Sequence, residues 1–358
     1  MITILYPYRN RDLERVKRSL DSLALQTDHR FKVLFVDYGS SPQQASQMEQ
    51  LINSYSFAYY IYTYTCMQPW SRAKALNVGL QQLATDFVFT ADIDMIFSPH
   101  LVSILHEVKH PQKAVYFKVG FLSREESFSE KPFDQYIISF TSDVGAQGLS
   151  LFAVEALKAI NGYDEFLHFW GAEDIDIHNR LEQLGLSSFF YETAILMLHQ
   201  WHPTYRNSEI KSLTTDLQLS SIVALNHKHL QYNDILFKTT IKQKDWGIQV
   251  DKNAFKTMES EPVAFTILNT SVAVTHFLFV QLPKFRGGVL KVRFEEDPFA
   301  TTMKYHIKRI LGKKVPQYYT LKEINDQVLL HIISFYHQYP YMYQVSSDLK
   351  SITFAIKK

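Results

Sequence analysis

Residues 87–94 read Phe87-Val88-Phe89-Thr90-Ala91-Asp92-Ile93-Asp94, an apolar run that leads straight into two carboxylates. On an extended segment, residues two apart face the same way, so Asp92 and Asp94 converge on one point. Two like charges so placed are costly unless a cation lies near them. Hard divalent ions such as Mg2+ and Mn2+ take oxygen ligands and bridge diphosphates. A bare Asp-x-Asp is usually a solvated turn, and its place at the end of an apolar strand is what gives this one weight.

Working outward, residues 3–6, 32–36 and 57–65 are also strand-like. Between them, residues 12–25, 43–55 and 72–84 carry helical spacing, with Leu13, Val16, Leu20 and Leu23 along one side of the first. Such alternation predicts an α/β fold with a mostly parallel sheet covered by helices. Ligands of open α/β sheets sit at the carboxyl ends of the strands. Residues 8–11, 37–40 and 92–94 are polar clusters at three such ends.

Downstream, the polar residues 122–134 are expected to form a mobile loop, a candidate lid. Residues 148–154 read as a strand, followed by a helix to residue 160 that Asn161-Gly162 closes through a left-handed cap. A helix over 173–184 ends at Gly185, and a strand over 189–198 leads into His199-Gln200-Trp201-His202-Pro203. Beyond residue 210 the character changes. Strands are expected within 264–282 and 289–294, a basic helix over 300–311 and a long amphipathic helix over 321–339. The expected organisation is a catalytic domain over 1–210 and an α+β accessory region over 211–358, for acceptor binding or oligomerisation.

Composition bounds the function. The 358 residues include 37 Lys plus Arg and 36 Asp plus Glu, a net charge of +1. That argues against bulk binding of nucleic acid, which needs a strongly basic face. One cysteine rules out a disulfide within the chain and suits a reducing cytoplasm. The N-terminus lacks the pattern of a signal peptide, and the apolar stretch near 272–282 falls short of the roughly 20 residues that cross a bilayer. The expected location is cytoplasmic, or peripheral at the inner face of the membrane.

Three further groups carry chemistry. In Trp170-Gly171-Ala172-Glu173-Asp174-Ile175-Asp176, carboxylates suit a helix N-terminus, yet a general base also needs a carboxylate near an attacking hydroxyl. The flat indole beside them can pack on a sugar face. His199 is a candidate metal ligand, with His202 as its competitor. Arg9, Arg11, Arg72 and Lys74 can recognise phosphate and base edges.

Together these segments resemble the GT-A-fold, family 2-type glycosyltransferases, and among them the β-1,4-galactosyltransferases and bacterial chondroitin-polymerase-like enzymes. Five motifs in order carry the likeness: Pro7-Tyr8-Arg9-Asn10-Arg11, Arg72-Ala73-Lys74-Ala75-Leu76-Asn77-Val78-Gly79, the strand ending in Asp92-Ile93-Asp94, Asn161-Gly162-Tyr163 with Trp170-Gly171-Ala172-Glu173-Asp174, and His199. It runs over about residues 1–207. Ala172 stands where the family has Gly, and Tyr38 where it commonly has a second Asp.

The resemblance implies a metal-dependent, inverting transfer of a hexose or N-acetylhexosamine from a UDP-sugar to a glycan or glycolipid hydroxyl, in surface polysaccharide synthesis. It implies that Pro7, Tyr8, Arg9 and Arg11 hold the uridine, with Asp37 near the base and Trp70 and Arg72 beside the nucleotide. Asp92 would lie by the ribose and metal, and Asp94 and His199 would bind Mn2+ or Mg2+. Asp174 would be the base, Glu173 would orient the substrates, and Trp170 with Gly171 would meet the acceptor sugar. Two rivals are a nucleotidyltransferase, which usually shows a Gly-rich N-terminal loop not seen here, and a non-catalytic sugar- or nucleotide-binding protein, against which Asp94 and Asp174 speak.

The C-terminal region carries Lys304, His306, Lys308, Arg309, Lys313 and Lys314 interleaved with Met303, Ile307, Ile310 and Leu311. The first expectation is a helix packed on its own domain with a solvated basic face. Docking on an anionic membrane is the second.

Overall fold

The computed structural model describes residues 1–203, 212–241 and 245–358. They fall into two compact units: Met1–Cys66, Trp70–Tyr205 and Val223–Gln249 in one, and Met67–Pro69, Arg206–Ile222 and Val250–Lys358 in the other. The expected boundary at residues 210–211 reaches outside the described residues, and the division is more interleaved than a single cut.

The first unit holds eleven strands and eight helices among the described residues. The strands are β1 (Ile2–Tyr8), β2 (Phe31–Asp37), β3 (Ala58–Tyr62), β4 (Phe87–Thr90), β5 (Met95–Phe97), β6 (Lys113–Phe117), β7 (Gly120–Leu122), β8 (Ile138–Thr141), β9 (Ser150–Ala153), β10 (Ser187–Tyr191) and β11 (Met197–His199). The helices are α1 (Leu13–Ala24), α2 (Pro42–Asn53), α3 (Arg72–Leu80), α4 (Leu101–Val108), α5 (Arg124–Ser127), α6 (Val154–Ala159), α7 (Glu173–Gln183) and α8 (Ile222–Ile235).

Seven strands form the main sheet in the order β10-β6-β9-β4-β1-β2-β3, parallel throughout except for β9. This is the mostly parallel α/β sheet that the sequence predicts. The chain starts at β1, steps one way to β2 and β3, and later crosses to β4 on the other side. The polar ends of β1 and β4 therefore flank a topological switch point, where open sheets bind ligands. The centre is mostly apolar: Ile2, Ile4, Tyr6 and Tyr8 of β1 face one layer with Phe35 and Phe89, and Leu5 faces the other with Val36 and Val88.

Local chemistry fixes the helices. Asp12 caps α1 by accepting from the Arg15 N–H, and Ser71 caps α3 by accepting from Lys74. Gly79 lets α3 lie flat on the sheet, since a Cβ there would come 2.3 Å from Leu5 Cδ1. Asn77 on the same helix clasps the chain ahead of α7: its amide donates to the Tyr163 carbonyl at 2.9 Å, and its Oδ1 accepts from the Tyr163 N–H at 2.8 Å. Gly162, at φ +67°, is the residue that fits under it, because a Cβ would meet Asn77 Oδ1 at 2.4 Å. Two of the sequence motifs thus serve the fold by holding each other. Helix α8 joins this unit through Asn226, which donates to the carbonyls of His168 and Trp170, and Asn233, which donates to Asp164 and Asp176.

A second sheet, β5-β11-β7-β8, corrects one expectation. Residues 189–198 are not one strand: β10 pairs with β6 on the edge of the main sheet, while β11 lies between β5 and β7. Residues 122–134 also hold more order than a bare loop. Ser123 caps the short α5, Lys131 pairs with Glu126 at 2.6 Å, and the Ser127 hydroxyl accepts from the Trp201 N–H.

The second unit is α+β. Strands β12 (Phe265–Leu268), β13 (Val289–Glu295), β14 (Tyr341–Val345) and β15 (Ser351–Lys357) form a sheet in the order β12-β13-β15-β14. With them stand α9 (Lys252–Ser260), α10 (Ser271–His276), α11 (Leu282–Lys284), α12 (Met303–Ile310) and α13 (Leu321–Phe335). The expectation of strand within 264–282 holds only for Phe265–Leu268. Thr270 then accepts from the Ala273 N–H and starts a helical run that overrides the β-branched residues Val272, Val274 and Thr275.

Candidate active site

The guanidinium of Arg72, at the first turn of α3, ties three segments together. It donates to Asp92 Oδ1 at 3.1 Å, to Asp174 Oδ1 at 2.6 Å and to the Gly148 carbonyl at 2.9 Å. The end of β4, the start of α7 and the approach to β9 therefore meet at one cation. Gly148 leaves room for this approach, since a Cβ there would lie 3.0 Å from Asp174 Oδ2 and press on that carboxylate. Burial pushes the Asp92 carboxyl up, as do Asp94 and Asp174, while Arg72 opposes them. Burial and then Asp174 push Glu173 up to about 7, again against Arg72.

One short step along the chain lies a second cluster. Strand β11 pairs antiparallel with β5 so that His199 faces Met95, and the Gln200 N–H donates to the Asp94 carbonyl at 2.9 Å. This pairing brings His202 Nε2 to 3.2 Å and His199 Nε2 to 3.7 Å from Asp94 Oδ2. Each of Asp94, His199 and His202 can offer one ligand atom, all within 4.8 Å of one another. The other Asp94 oxygen, Oδ1, is buried without a hydrogen-bond partner. Burial would raise the Asp94 carboxyl, but the His202 hydrogen bond and both imidazoles outweigh it and hold it below its ordinary value. Burial lowers His199, and the hydrogen bond to Asp94 raises His202. One carboxylate and two imidazoles with an unsatisfied buried oxygen are a donor set that fits a divalent cation. His202 thus stands beside His199 in this cluster; the i, i+3 spacing of the two was the sequence signal. Asp92 stands with Arg72 and outside this trio.

The expected nucleotide residues divide into two groups. Arg9 is half-buried, donates to the carbonyls of Gly39 and Thr65, and lies over the Tyr38 ring. Trp70 meets Tyr38 edge-on at 6.0 Å. Arg11, half-buried at the end of β1, feels the charge of Asp94. These side chains line the carboxyl ends of β1 and β2. Tyr8 and Asp37 instead face inward. The Tyr8 ring packs on Phe35 and its hydroxyl donates to the Arg11 carbonyl, while Pro7 is buried in β1. Asp37 is fully buried, with its oxygens accepting from the Ser40 N–H and the Tyr60 hydroxyl, both at 2.7 Å. It shapes the turn after β2.

Of the residues expected to meet an acceptor, Trp170 is 40% exposed. Gly171 and Ala172 both take the left-handed backbone, at φ 98° and 77°. Ala172 therefore keeps the conformation that favours Gly and leads into α7 with Glu173 and Asp174 in its first turn. Behind them, Asp176 and Arg180 form a fully buried ion pair at 2.7 Å that fixes the helix.

Residues 3–152 match the family model described as glycosyl transferase family 2, and residues 132–204 match that described as the N-terminal domain of galactosyltransferase. Human β-1,4-galactosyltransferase 5 is 30% identical over 133 residues, which is 37% of this chain and 31% of that protein. Human chondroitin sulfate synthase 3 is 21% identical over 248 residues, 62% of this chain and 28% of that protein. The chain thus spans about a third of the length of these curated relatives. Among solved structures, GalNAc-T7 with UDP, GalNAc and Mn2+ is similar with a TM-score of 0.48 and 13% identity, over 65% of this chain and 48% of that one. Mannosyltransferase PcManGT from Pyrobaculum calidifontis, in complex with GDP-Man and Mn2+, gives 0.41 and 16%, over 56% of each chain. Two glycosyltransferase family models therefore overlap at residues 132–152 and together run from residue 3 to residue 204, and this part of the chain is similar to glycosyltransferase domains of the family 2 type and to the β-1,4-galactosyltransferases.

Proposed function

We propose that this protein is a metal-dependent, inverting glycosyltransferase that moves an N-acetylhexosamine or hexose from a UDP-sugar to a hydroxyl of a glycan or glycolipid. The observation that carries the reading is the placement of two clusters just past β4, their aspartates two residues apart along the chain: Asp92 with Arg72 and Asp174, and Asp94 with His199 and His202. Asp94, His199 and His202 would hold Mn2+ or Mg2+, and a cation held there supplies Lewis-acid stabilisation to a departing diphosphate. Arg9, Arg11 and Trp70 bind the nucleotide, and Arg72 adds a fixed positive charge beside the leaving group. Trp170 packs on the acceptor sugar. Asp174 takes the proton of the acceptor hydroxyl as its oxygen bonds to the anomeric carbon and the bond from that carbon to the diphosphate breaks, so the configuration inverts. Glu173 orients the acceptor. The stretch Val144-Gly145-Ala146-Gln147-Gly148 has small side chains before β9, which leaves room for a 2-acetamido group and favours UDP-N-acetylhexosamine over UDP-galactose. A soluble or lipid-linked surface polysaccharide is the fitting acceptor class.

Asp174→Asn tests the base. It keeps the size and the hydrogen bond to Arg72 but cannot accept a proton at neutral pH. Calorimetry should give donor binding near wild type, with turnover reduced by about two to four orders of magnitude. Lost donor binding would make Asp174 a donor-site residue and sink the assignment.

A further inference from the structure

Helix α12 does not pack as expected. Its apolar side chains face solvent: Met303 is 80% exposed, Ile307 52%, Ile310 84% and Leu311 62%. At about 100° per residue these four fall in one arc of roughly 100°. Tyr305 lies on the opposite side of the helix, and it is the anchor. Its ring meets Phe299 at 5.7 Å and Tyr318 at 5.5 Å, and its N–H donates to the capping Thr302. The helix is held to its own unit by its aromatic back, which leaves the aliphatic stripe turned away from that anchor.

Charge borders that stripe. Lys304 and Lys308 follow it on one flank, His306 and Arg309 on the other, and Lys313 and Lys314 come just past the end at Gly312. Between Asp297 and Glu323 the chain has six Lys or Arg and no acidic residue, within a protein whose net charge is only +1. A stripe of this kind with cations along both edges fits a surface that is apolar below and anionic above. Aliphatic side chains enter the acyl boundary while lysine and arginine heads stay at the phosphates. A polyanion such as RNA has no use for Ile307, Ile310 and Leu311, and a second copy of the helix brings the same positive charge against itself.

We propose that α12 is a docking element for an anionic lipid bilayer, lying in the plane of the headgroups with Met303, Ile307, Ile310 and Leu311 inserted. The proposal stands apart from the transferase reading, because it is tested without donor or acceptor. The full chain is floated on a density gradient with vesicles of phosphatidylcholine alone or with added phosphatidylglycerol. Co-flotation is expected with the anionic vesicles only, weakening as salt rises. Two variants, Lys304→Glu/Lys308→Glu/Arg309→Glu and Ile307→Ser/Ile310→Ser/Leu311→Ser, should each lower the bound fraction at least about tenfold while keeping the wild-type unfolding temperature. Three outcomes overturn the proposal. One is no flotation of the wild-type chain. The second is loss in the charge variant while the serine variant floats normally, which marks a polyanion surface. The third is a dimer in solution that the serine variant dissolves, with flotation unchanged.

Discussion

Replacing Arg72 with Ala removes the cation on which three segments converge, and the structure sets the size of the effect. Its side chain is only 11% exposed, and Asp174, at 28%, is the better shielded of its two carboxylate partners. Hydrogen bonds to charged groups contribute about 1.5–3 kcal/mol each when shielded, so the 2.6 Å contact with Asp174 takes the lower end of that range. Asp92, at 40%, is screened by solvent and adds about 0.5 kcal/mol. The Gly148 carbonyl adds about 1 kcal/mol, for a loss of about 3 kcal/mol in all. In a unit of this size that lowers the unfolding temperature by about 6–12 °C. Turnover should fall at least about 100-fold, because Asp174 loses the partner that orients it. Arg72→Lys keeps the charge but not the fork, and should land between. The assay is thermal unfolding followed by circular dichroism, paired with UDP release. A double-mutant cycle with Asp174→Ala should return a coupling of about 1.5 kcal/mol. An Arg72→Ala protein that melts with the wild type and turns over within twofold of it would refute the reasoning.

The buried Asp176–Arg180 pair, with both side chains 1% exposed, predicts that Arg180→Met destabilises by about 3–5 kcal/mol by stranding Asp176, and that adding Asp176→Asn recovers part of it. Denaturant titration measures both, and a loss below about 1 kcal/mol for the single variant would contradict a stranded charge. His178, buried between the hydroxyls of Ser150 and Ser188, is pushed down to about 4 by burial. The unfolded chain therefore binds a proton that the folded one refuses between about pH 6.5 and 4, and stability falls as the pH drops through that window, by at most about 3 kcal/mol. His178→Asn should flatten the decline, and an unchanged slope would mean that other groups cause it.

The fold was legible where local signals agree with tertiary structure. The strand Phe87–Thr90 lies where its apolar run places it, and Asp12 caps α1 just ahead of the first periodic leucine. Legibility ended where pairing is long-range. The break between β10 and β11 depends on two sheets that no stretch of ten residues announces. The helical run after Thr270 wins over β-branched composition through its cap and its packing. In the site, the structure brings Asp94 beside His199, and Arg72 beside Asp92 and Asp174. The approach of His202 to Asp94 follows from the β5–β11 register, which the local sequence does not announce. The resemblance places Tyr8 by the nucleotide, whereas its ring lies on the core side, as the period of two through Ile2, Ile4 and Tyr6 indicates. The apolar stripe of α12 shows the converse, since amphipathic spacing reveals a stripe but not which way it faces.

Metal-dependent turnover of a UDP-sugar tests the central claim most directly. The purified chain is incubated with UDP-N-acetylglucosamine, UDP-N-acetylgalactosamine, UDP-galactose and UDP-glucose, with simple hexosides and water as acceptors and with Mn2+ or a chelator, and UDP release is measured. The account predicts release with a UDP-N-acetylhexosamine as the best donor, abolished by the chelator and by Asp94→Ala, and severely reduced in both His199→Ala and His202→Ala. Release that persists in the chelator and in Asp94→Ala, or no release from any of the four donors, would contradict it.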